Sequence, residues 1–279
     1  MKKITMILGV AAMVLFAACQ KQDIEPATKT ITLNASMAQV AADSKTVFGE
    51  DGKSIEWVGG EQILVLDKNG VKATLTATVP GKTTTITGEV PAEFVETEPY
   101  YAFYPAEMFG EKDTYGMDNF IELTFPDTQA NINGIADGAN PSYARVEGEG
   151  MVSFKNICTI IKISVKAKDT RNLPSIRLQA AGVQIAGKVR FFYEDGSIGR
   201  RESEKREISV TTDWTPEVGE TISAYFVAPE FTTFTFTVYP GLSSNGVSRT
   251  GTSYTYSAGK IYNMPTLYWK DKKFTTIEQ

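Results

Sequence analysis

The sequence predicts an all-β protein made of two antiparallel β-sandwich domains that follow an N-terminal signal peptide. Three observations support this prediction. Short runs rich in Thr, Val, Ile, Tyr and Phe recur along the chain, turn signals separate them, and a helical hydrophobic period is nearly absent. Only residues 37–42 are compatible with a helical turn. Because a sheet with one apolar face must cover that face, strands of this kind favour sandwiches.

The strand-like segments alternate between apolar and polar positions in several places. In the run 231–238, Phe234, Phe236 and Val238 fall on one face and threonines on the other, which predicts a half-buried antiparallel strand. The predicted strands are 30–33, 62–66, 73–79, 83–87, 100–104, 120–125, 159–167, 188–193, 207–211, 221–227, 231–239, 253–256 and 261–269.

Acidic residues are concentrated in turn-like contexts between these runs. Asp51-Gly52, Asn69-Gly70 and Asp195-Gly196 are pairs of the kind that hairpin turns favour, since such turns require positive φ. We therefore interpret these acids as turn residues. A calcium loop at 67–70 is disfavoured because the remaining ligand spacing and the terminal glutamate are missing.

The first nineteen residues have the organisation of a bacterial lipoprotein signal. Two lysines precede an apolar run over 4–16, which closes on Ala17, Ala18 and Cys19. This run has about 13 residues, whereas a membrane-spanning helix needs about 20. The sequence thus predicts a signal peptide over 1–18, cleavage between Ala18 and Cys19, and lipidation of Cys19 with acyl chains such as palmitate. Phe16 stands where the motif usually has Leu or Val, and an ordinary secretory signal is the alternative.

The residues after Cys19 predict where the protein is held. The segment QKQDIE at 20–25 is similar to the export tag of surface lipoproteins in gut and oral Gram-negative anaerobes. Residues 19–28 are predicted to form a flexible lipid-anchored tether. We expect attachment to the outer membrane with exposure at the cell surface.

Composition excludes several functional classes. Without residues 1–18 the chain has 261 residues, and its formal net charge falls from −5 to −7 with the loss of Lys2 and Lys3. This acidic balance with no basic tract argues against nucleic acid as a partner. The chain has no histidine, which excludes Ser-His-Asp and Cys-His nucleophile systems and His-bearing zinc sites. We expect no enzymatic activity, no cofactor and no metal. A glycosidase based on two carboxylates is the enzymatic alternative.

Glycine, asparagine and proline interrupt the strand rhythm over 127–150, which predicts a long crossing segment between two domains. The N-terminal sandwich is predicted over 29–148 and the C-terminal sandwich over 149–279. The mixed charges at 200–207 favour a solvated loop or an edge strand. Cys158, in an apolar run, is predicted to be a buried small hydrophobe.

The order of several short motifs resembles the fimbrillin-like surface lipoproteins, the Mfa-like subunits of type V pili. The motifs are KTITLNAS at 29–36, SKTVF at 44–48, IEW at 55–57, GEQI at 60–63, YYAFYP at 100–105, FPDTQ at 125–129, FKN at 154–156, IKISVK at 161–166, IAG at 185–187 and FVAP at 226–229. The resemblance implies two transthyretin-like β-sandwich domains in a pilus stalk, tip or anchor subunit, or in a related adhesin. It implies no catalytic residues.

For such a protein the resemblance implies assembly by strand donation, in which an open sandwich groove accepts a strand from the next subunit. In stalk subunits a protease opens that groove by removing the first strand after an arginine. Here the first arginine is Arg145, so only Lys29 or Lys45 is placed for this maturation. An anchor, a tip or a stand-alone adhesin is therefore favoured over a stalk.

A glycan-binding surface lipoprotein is the alternative function. Aromatic side chains stack on sugar rings, and Tyr100, Tyr101, Tyr104 and Trp269 are the candidates. The competing interpretation places these rings in the core.

Overall fold

The computed structural model describes residues 27–37, 56–112, 119–148, 150–200 and 205–277. The predicted signal peptide, its cleavage site at Ala18 and Cys19, the tether up to residue 26 and the maturation candidate Lys45 lie outside the described residues. Within the described residues, no helix is long and apolar enough to cross a membrane.

The N-terminal half of the described chain consists of strands and one 3-10 turn, Ala106–Met108. Its strands are β1 (Thr28–Met37), β2 (Gln62–Leu66), β3 (Lys72–Ala77), β4 (Thr83–Pro91), β5 (Tyr100–Tyr104), β6 (Phe109–Lys112), β7 (Phe120–Phe125), β8 (Thr128–Gln129), β9 (Ser142–Val146) and β10 (Met151–Asn156).

The C-terminal half continues in the same way. Its strands are β11 (Cys158–Ala167), β12 (Leu173–Ala180), β13 (Gly187–Phe192), β14 (Ser197–Arg200), β15 (Glu207–Trp214), β16 (Thr221–Pro229), β17 (Phe231–Pro240), β18 (Val247–Tyr256), β19 (Ile261–Asn263), β20 (Leu267–Lys270) and β21 (Lys273–Thr275). The prediction of an all-β fold is confirmed.

Seven strands of the N-terminal half form a closed barrel in the order β1-β10-β9-β5-β2-β3-β4. Strand β1 pairs antiparallel with β4 from Thr28↔Pro91 to Ser36↔Thr83, and its end pairs parallel with β10. The alternation in β1 points Ile31, Leu33 and Ala35 into the barrel core. The first strand is therefore paired with β4 along nearly all of its length and with both neighbours at its end, Asn34–Ser36.

The C-terminal half packs two sheets face to face. One sheet has the order β18-β17-β12-β15-β8, and the other is built on β16-β11-β20-β21, with β19 also paired to β11. The core between them includes Ile163, Leu178, Phe226 and Trp269. Burying the apolar faces of both sheets is the main stabilising contribution here, at about 25 cal/mol per Å² of apolar surface.

A further sheet, β14-β13-β7-β6, joins the two halves. Strand β7 precedes the predicted crossing segment yet pairs with β13, and β8 pairs with β15. Strand β10 follows residue 149 yet completes the barrel, and the segment 127–150 contains β8 and β9. The two halves are thus interleaved along the chain at the place where the sequence predicts a simple crossing.

One core cluster takes residues from both halves, such as Leu123, Phe191 and Tyr225, and we call it the shared core. It explains why two strands are buried on both faces. In β5, Tyr100 and Tyr104 face the barrel core, whereas Phe103 faces the shared core. In β2, Ile63 and Leu64 are divided in the same manner. A strand with a core on either side is expected to have a sequence of consecutive apolar residues.

The turn after β2 is held by a buried carboxylate. Asp67 is 1% exposed, and its oxygens accept hydrogen bonds from the backbone N–H groups of Asn69 (2.9 Å), Val71 (2.7 Å) and Val95 (3.0 Å). Charge-assisted bonds to backbone donors are stronger than neutral ones. The structure therefore places Asp67 in a structural turn and not in a calcium loop.

We expect Asp67→Ala to lower the free energy of unfolding by about 2–4 kcal/mol, because three backbone donors lose a buried charged acceptor. Urea denaturation measures this loss. Asp195→Ala is the matched control, since that exposed carboxylate accepts one backbone bond, from Ser197. Equal losses in both variants would contradict the role assigned to Asp67.

Candidate functional site

The structure buries three of the four aromatic residues predicted as ligand platforms. Tyr100 packs edge-on against Phe94 (5.2 Å between ring centroids), and Tyr104 packs edge-on against Trp57 (5.4 Å). Trp269 is 2% exposed, and its Nε1–H donates to the backbone oxygen of Arg171 at 2.7 Å. These rings are core components, so this placement does not support their predicted stacking on a ligand.

The fourth ring, Tyr101, lies half-buried at the edge of the shared core. It contacts Tyr193 at 4.5 Å between centroids and stacks with Phe103 at 6.4 Å. Burial raises the pKa of Tyr101, and the nearby Arg145 partly opposes this by lowering it. Tyr101 is therefore mainly a packing residue, although part of its side chain is exposed.

Burial also raises the pKa of both buried tyrosines of β5. The pKa of Tyr100 is raised to about 12, mainly by desolvation and then by the charge of Glu96. The pKa of Tyr104 is raised to about 12 by desolvation, although the backbone N–H of Gly138 donates to its oxygen. Both phenols must therefore remain neutral for the barrel to keep its core.

This arrangement predicts a loss of stability at alkaline pH. Each folded-state pKa lies above the unfolded value near 10, so the stabilisation is fully present below about pH 10 and is lost as the pH rises towards 12. Urea denaturation between pH 9 and 12 measures the slope. Tyr104→Phe removes one titrating group, and we expect its stability to fall less steeply. Parallel curves for wild type and variant would refute this assignment.

Lys29, the maturation candidate within the described residues, lies in β1. Its Nζ is 3.1 Å from Glu96 Oε1, and Lys29 and Thr30 are in register with Val90 and Glu89 of β4. A protease needs an extended, unpaired substrate, and nicking is concentrated in exposed loops. The bond after Lys29 therefore lies in the part of β1 that is paired with β4.

A β-bulge in the C-terminal half creates an exposed aromatic surface. The pairing of β17 with β18 shifts between Thr233↔Tyr254 and Thr235↔Thr250. Along β17 the buried positions accordingly change from Phe231 and Thr233 to residues 236 and 238. The prediction that Phe234 shares the buried face is wrong, since Phe234 is 62% exposed. A bulge re-aims side chains in this way.

The hydroxyl of Thr233 stabilises the bulge. Its Oγ1 accepts a hydrogen bond from the N–H of Thr235 (3.2 Å) and lies 2.9 Å and 3.2 Å from the carbonyl oxygens of Thr235 and Ala181. A threonine is thus buried where an alternating strand would bury an apolar residue. Its hydroxyl is satisfied by backbone groups at the point where the pairing becomes irregular.

Three tyrosines form the opposite part of this surface. Tyr254 is 53% exposed and contacts Tyr256 (5.1 Å) and Tyr262 (5.8 Å) edge-on. Tyr256 is buried and stacks on Phe231 at 4.7 Å. Burial raises the pKa of Tyr256, while Arg249 partly opposes the rise. The exposed ring is therefore supported by rings that belong to the core.

These residues line a surface cleft of about 320 Å³, which we call the aromatic cleft. Its lining residues are Thr233, Phe234, Phe236, Arg249, Gly251, Thr252, Tyr254, Tyr256, Tyr262, Asn263 and Met264. Arg249 is the charged residue of this lining, and its Nη1 lies 3.9 Å from Met264 Sδ. The cleft therefore combines aromatic faces with one cation.

An apolar groove of about 370 Å³ continues from the aromatic cleft. It is lined by Phe236 and Val238 of one sheet, by Ile163 and Leu267 of the other, and by Met264, which lies between β19 and β20. Strand β18 borders the groove and pairs with β17 alone in the described sheet. The sandwich is thus open along this edge.

Sequence reasoning missed the aromatic cleft because its residues come from three segments that the fold brings together. The sequence predicts a strand over 253–256 but not its extension back to Val247. Gly251 and the serines and threonines around it gave a weak signal of an irregular, exposed edge strand.

No family model matches the chain, and no curated protein sequence matches it. Among solved structures, a candidate cell adhesion protein from Bacteroides ovatus is 13% identical, with a TM-score of 0.53, over 89% of this chain and 95% of that chain. A candidate cell adhesion protein from Bacteroides uniformis is 15% identical, with a TM-score of 0.52, over 88% and 94% of the two chains. At these identities the likeness shows a shared fold.

Proposed function

We propose that this chain is a cell-surface lipoprotein of the fimbrillin-like type that acts in adhesion or pilus assembly, as an anchor, a tip or a stand-alone adhesin. Three observations support the proposal: the ordered sequence motifs, the lipoprotein-type N-terminus, and the fold shared with candidate cell adhesion proteins of Bacteroides. The lipid on Cys19 holds the protein in the outer membrane, and the folded part faces outward.

The placement of β1 is the observation that favours an anchor, tip or stand-alone role over a stalk. Strand β1 pairs with β4 from Thr28 to Ser36 and with β10 from Asn34 to Met37. Its inward side chains fill the barrel core, and the bond after Lys29 lies within the pairing with β4. Releasing this strand would expose two strand edges and a row of apolar side chains. A chain that retains β1 also retains its lipid.

Lipid attachment is tested by Cys19→Ser. We expect this variant to leave the detergent-phase membrane fraction while keeping its fold, because residue 19 precedes the first barrel strand. Phase partitioning and immunoblotting of cell fractions measure the change. Cys158→Ser is the matched control, since Cys158 is buried and should not affect partitioning. Recovery of Cys19→Ser with the membranes would contradict lipidation at this residue.

Retention of β1 is tested on protein taken from native cells. We expect intact-mass spectrometry to give a chain beginning at an acylated Cys19, and sizing in detergent to give a monomer. The variants Lys29→Ala and Lys45→Ala should also begin at an acylated Cys19, so that their masses differ from the wild-type mass only by the substituted side chain. A chain that starts at Thr30 or Thr46 and forms detergent-stable multimers would show that lysine replaces arginine in a stalk subunit.

Strand addition at the β18 edge is a second mode of action that the structure supports. Apolar side chains line the groove beside β18, and the edge of β18 has no neighbouring strand in the described sheet. Its backbone N–H and C=O groups can therefore pair with an added strand. An extended strand of another subunit, with apolar side chains at alternate positions, is the occupant that fits both.

A further inference from the structure

We infer that the aromatic cleft binds a carboxylate-bearing sugar, of the uronic acid class, within a glycan chain. This inference deepens the proposed adhesive function and rests on it for its biological role. The binding itself depends on the geometry and charge of the aromatic cleft.

Two large aromatic rings at the aromatic cleft are exposed to solvent. Phe234 is 62% exposed and Tyr254 is 53% exposed. Neither ring contributes much buried area to the fold, and a ligand that covers them gains apolar burial. A sugar ring has an apolar C–H face that lies flat on an aromatic side chain, and its hydroxyl groups remain available to polar neighbours. The two rings therefore provide two platforms.

One of the two platforms is held in place by neighbouring rings. Tyr254 is supported by Tyr256 and Tyr262, which contact each other at 5.0 Å. A pre-organised platform loses less conformational entropy when a ligand binds.

The charge of the aromatic cleft selects an anion. Arg249 is exposed, and within the described residues its side chain contacts the Met264 thioether without a carboxylate within 4.0 Å. No acidic residue belongs to the described lining. A guanidinium pairs best with a planar carboxylate, which it binds through two parallel hydrogen bonds. One carboxylate therefore matches the single cation.

The size and the polar lining fit a short segment of a glycan. A cleft of about 320 Å³ is at the lower end of ligand sites, which suits one or two sugar rings. Thr252 borders the rings with a hydroxyl that can bond to the hydroxyl groups of a sugar. The acidic balance of the whole chain disfavours a polyanion such as nucleic acid, which needs many cations.

The test is calorimetric titration of the full chain in detergent with an oligogalacturonate and with a neutral galactose oligosaccharide of equal length. We expect the acidic sugar to bind about tenfold more tightly. Arg249→Gln should weaken binding of the acidic sugar to the level of the neutral one, which abolishes this preference. Phe234→Ala and Tyr254→Ala should each weaken binding of both sugars about fivefold.

Two control variants remove similar groups elsewhere. Arg145→Gln removes an exposed arginine that pairs with Glu147, and Leu242→Ala removes an apolar side chain that is 96% exposed. Neither should change the affinity for either sugar. Absence of binding, equal affinity for both sugars, or equal losses in the controls would overturn the inference. None of these outcomes bears on lipid anchoring, which the Cys19→Ser experiment tests independently.

Discussion

The pairing of β1 with both β4 and β10 is the constraint on which the N-terminal half depends. This strand closes the barrel, and without it β4 and β10 would each present an unpaired edge. The proposed lipid tether leads directly into β1, so a pull on the anchor would load its antiparallel pairs with β4 along the strand. Such a force acts on all of these hydrogen bonds at the same time, so β1 resists being pulled out of the barrel. This resistance suits a protein that is attached to the cell surface through its N-terminus.

The shared core makes the two halves depend on each other. The sheet β14-β13-β7-β6 combines strands from both halves, and its residues pack against Phe103 of the barrel and Tyr225 of the second sandwich. Strands β17 and β18 contribute no residue to this shared core among those described. The aromatic cleft is therefore built on the part of the sheet that the junction does not use. Ligand binding there need not disturb the strand that carries the anchor.

Sequence patterns predicted the strands with strong local signals, and β2, β5 and β7 lie at the predicted bounds. Strand β12 was missed because Pro174 interrupts its pattern, whereas the short strands β9 and β10 lie between Pro141, Gly148 and Gly150, which indicated a crossing segment. The interleaving of the halves could not be predicted either, because pairing between strands far apart in the sequence, such as β7 and β13, produces no local hydrophobic pattern. Lys29 was found as a maturation candidate, but its pairing with Val90 of β4 is visible only in the fold.

The aromatic residues show why the site was harder to predict than the fold. The run at 100–104 supplied candidate platforms for the alternative function, although alternate members were expected to be core residues of one strand. Two cores flank β5, so both faces are buried. Phe234 shows the opposite case, because a strict period of two assigned it to the core and the bulge at Thr233 turned it outward. Since the core does not need the Phe234 ring, removing it should cost little stability, and an effect on binding can then be separated from an effect on folding.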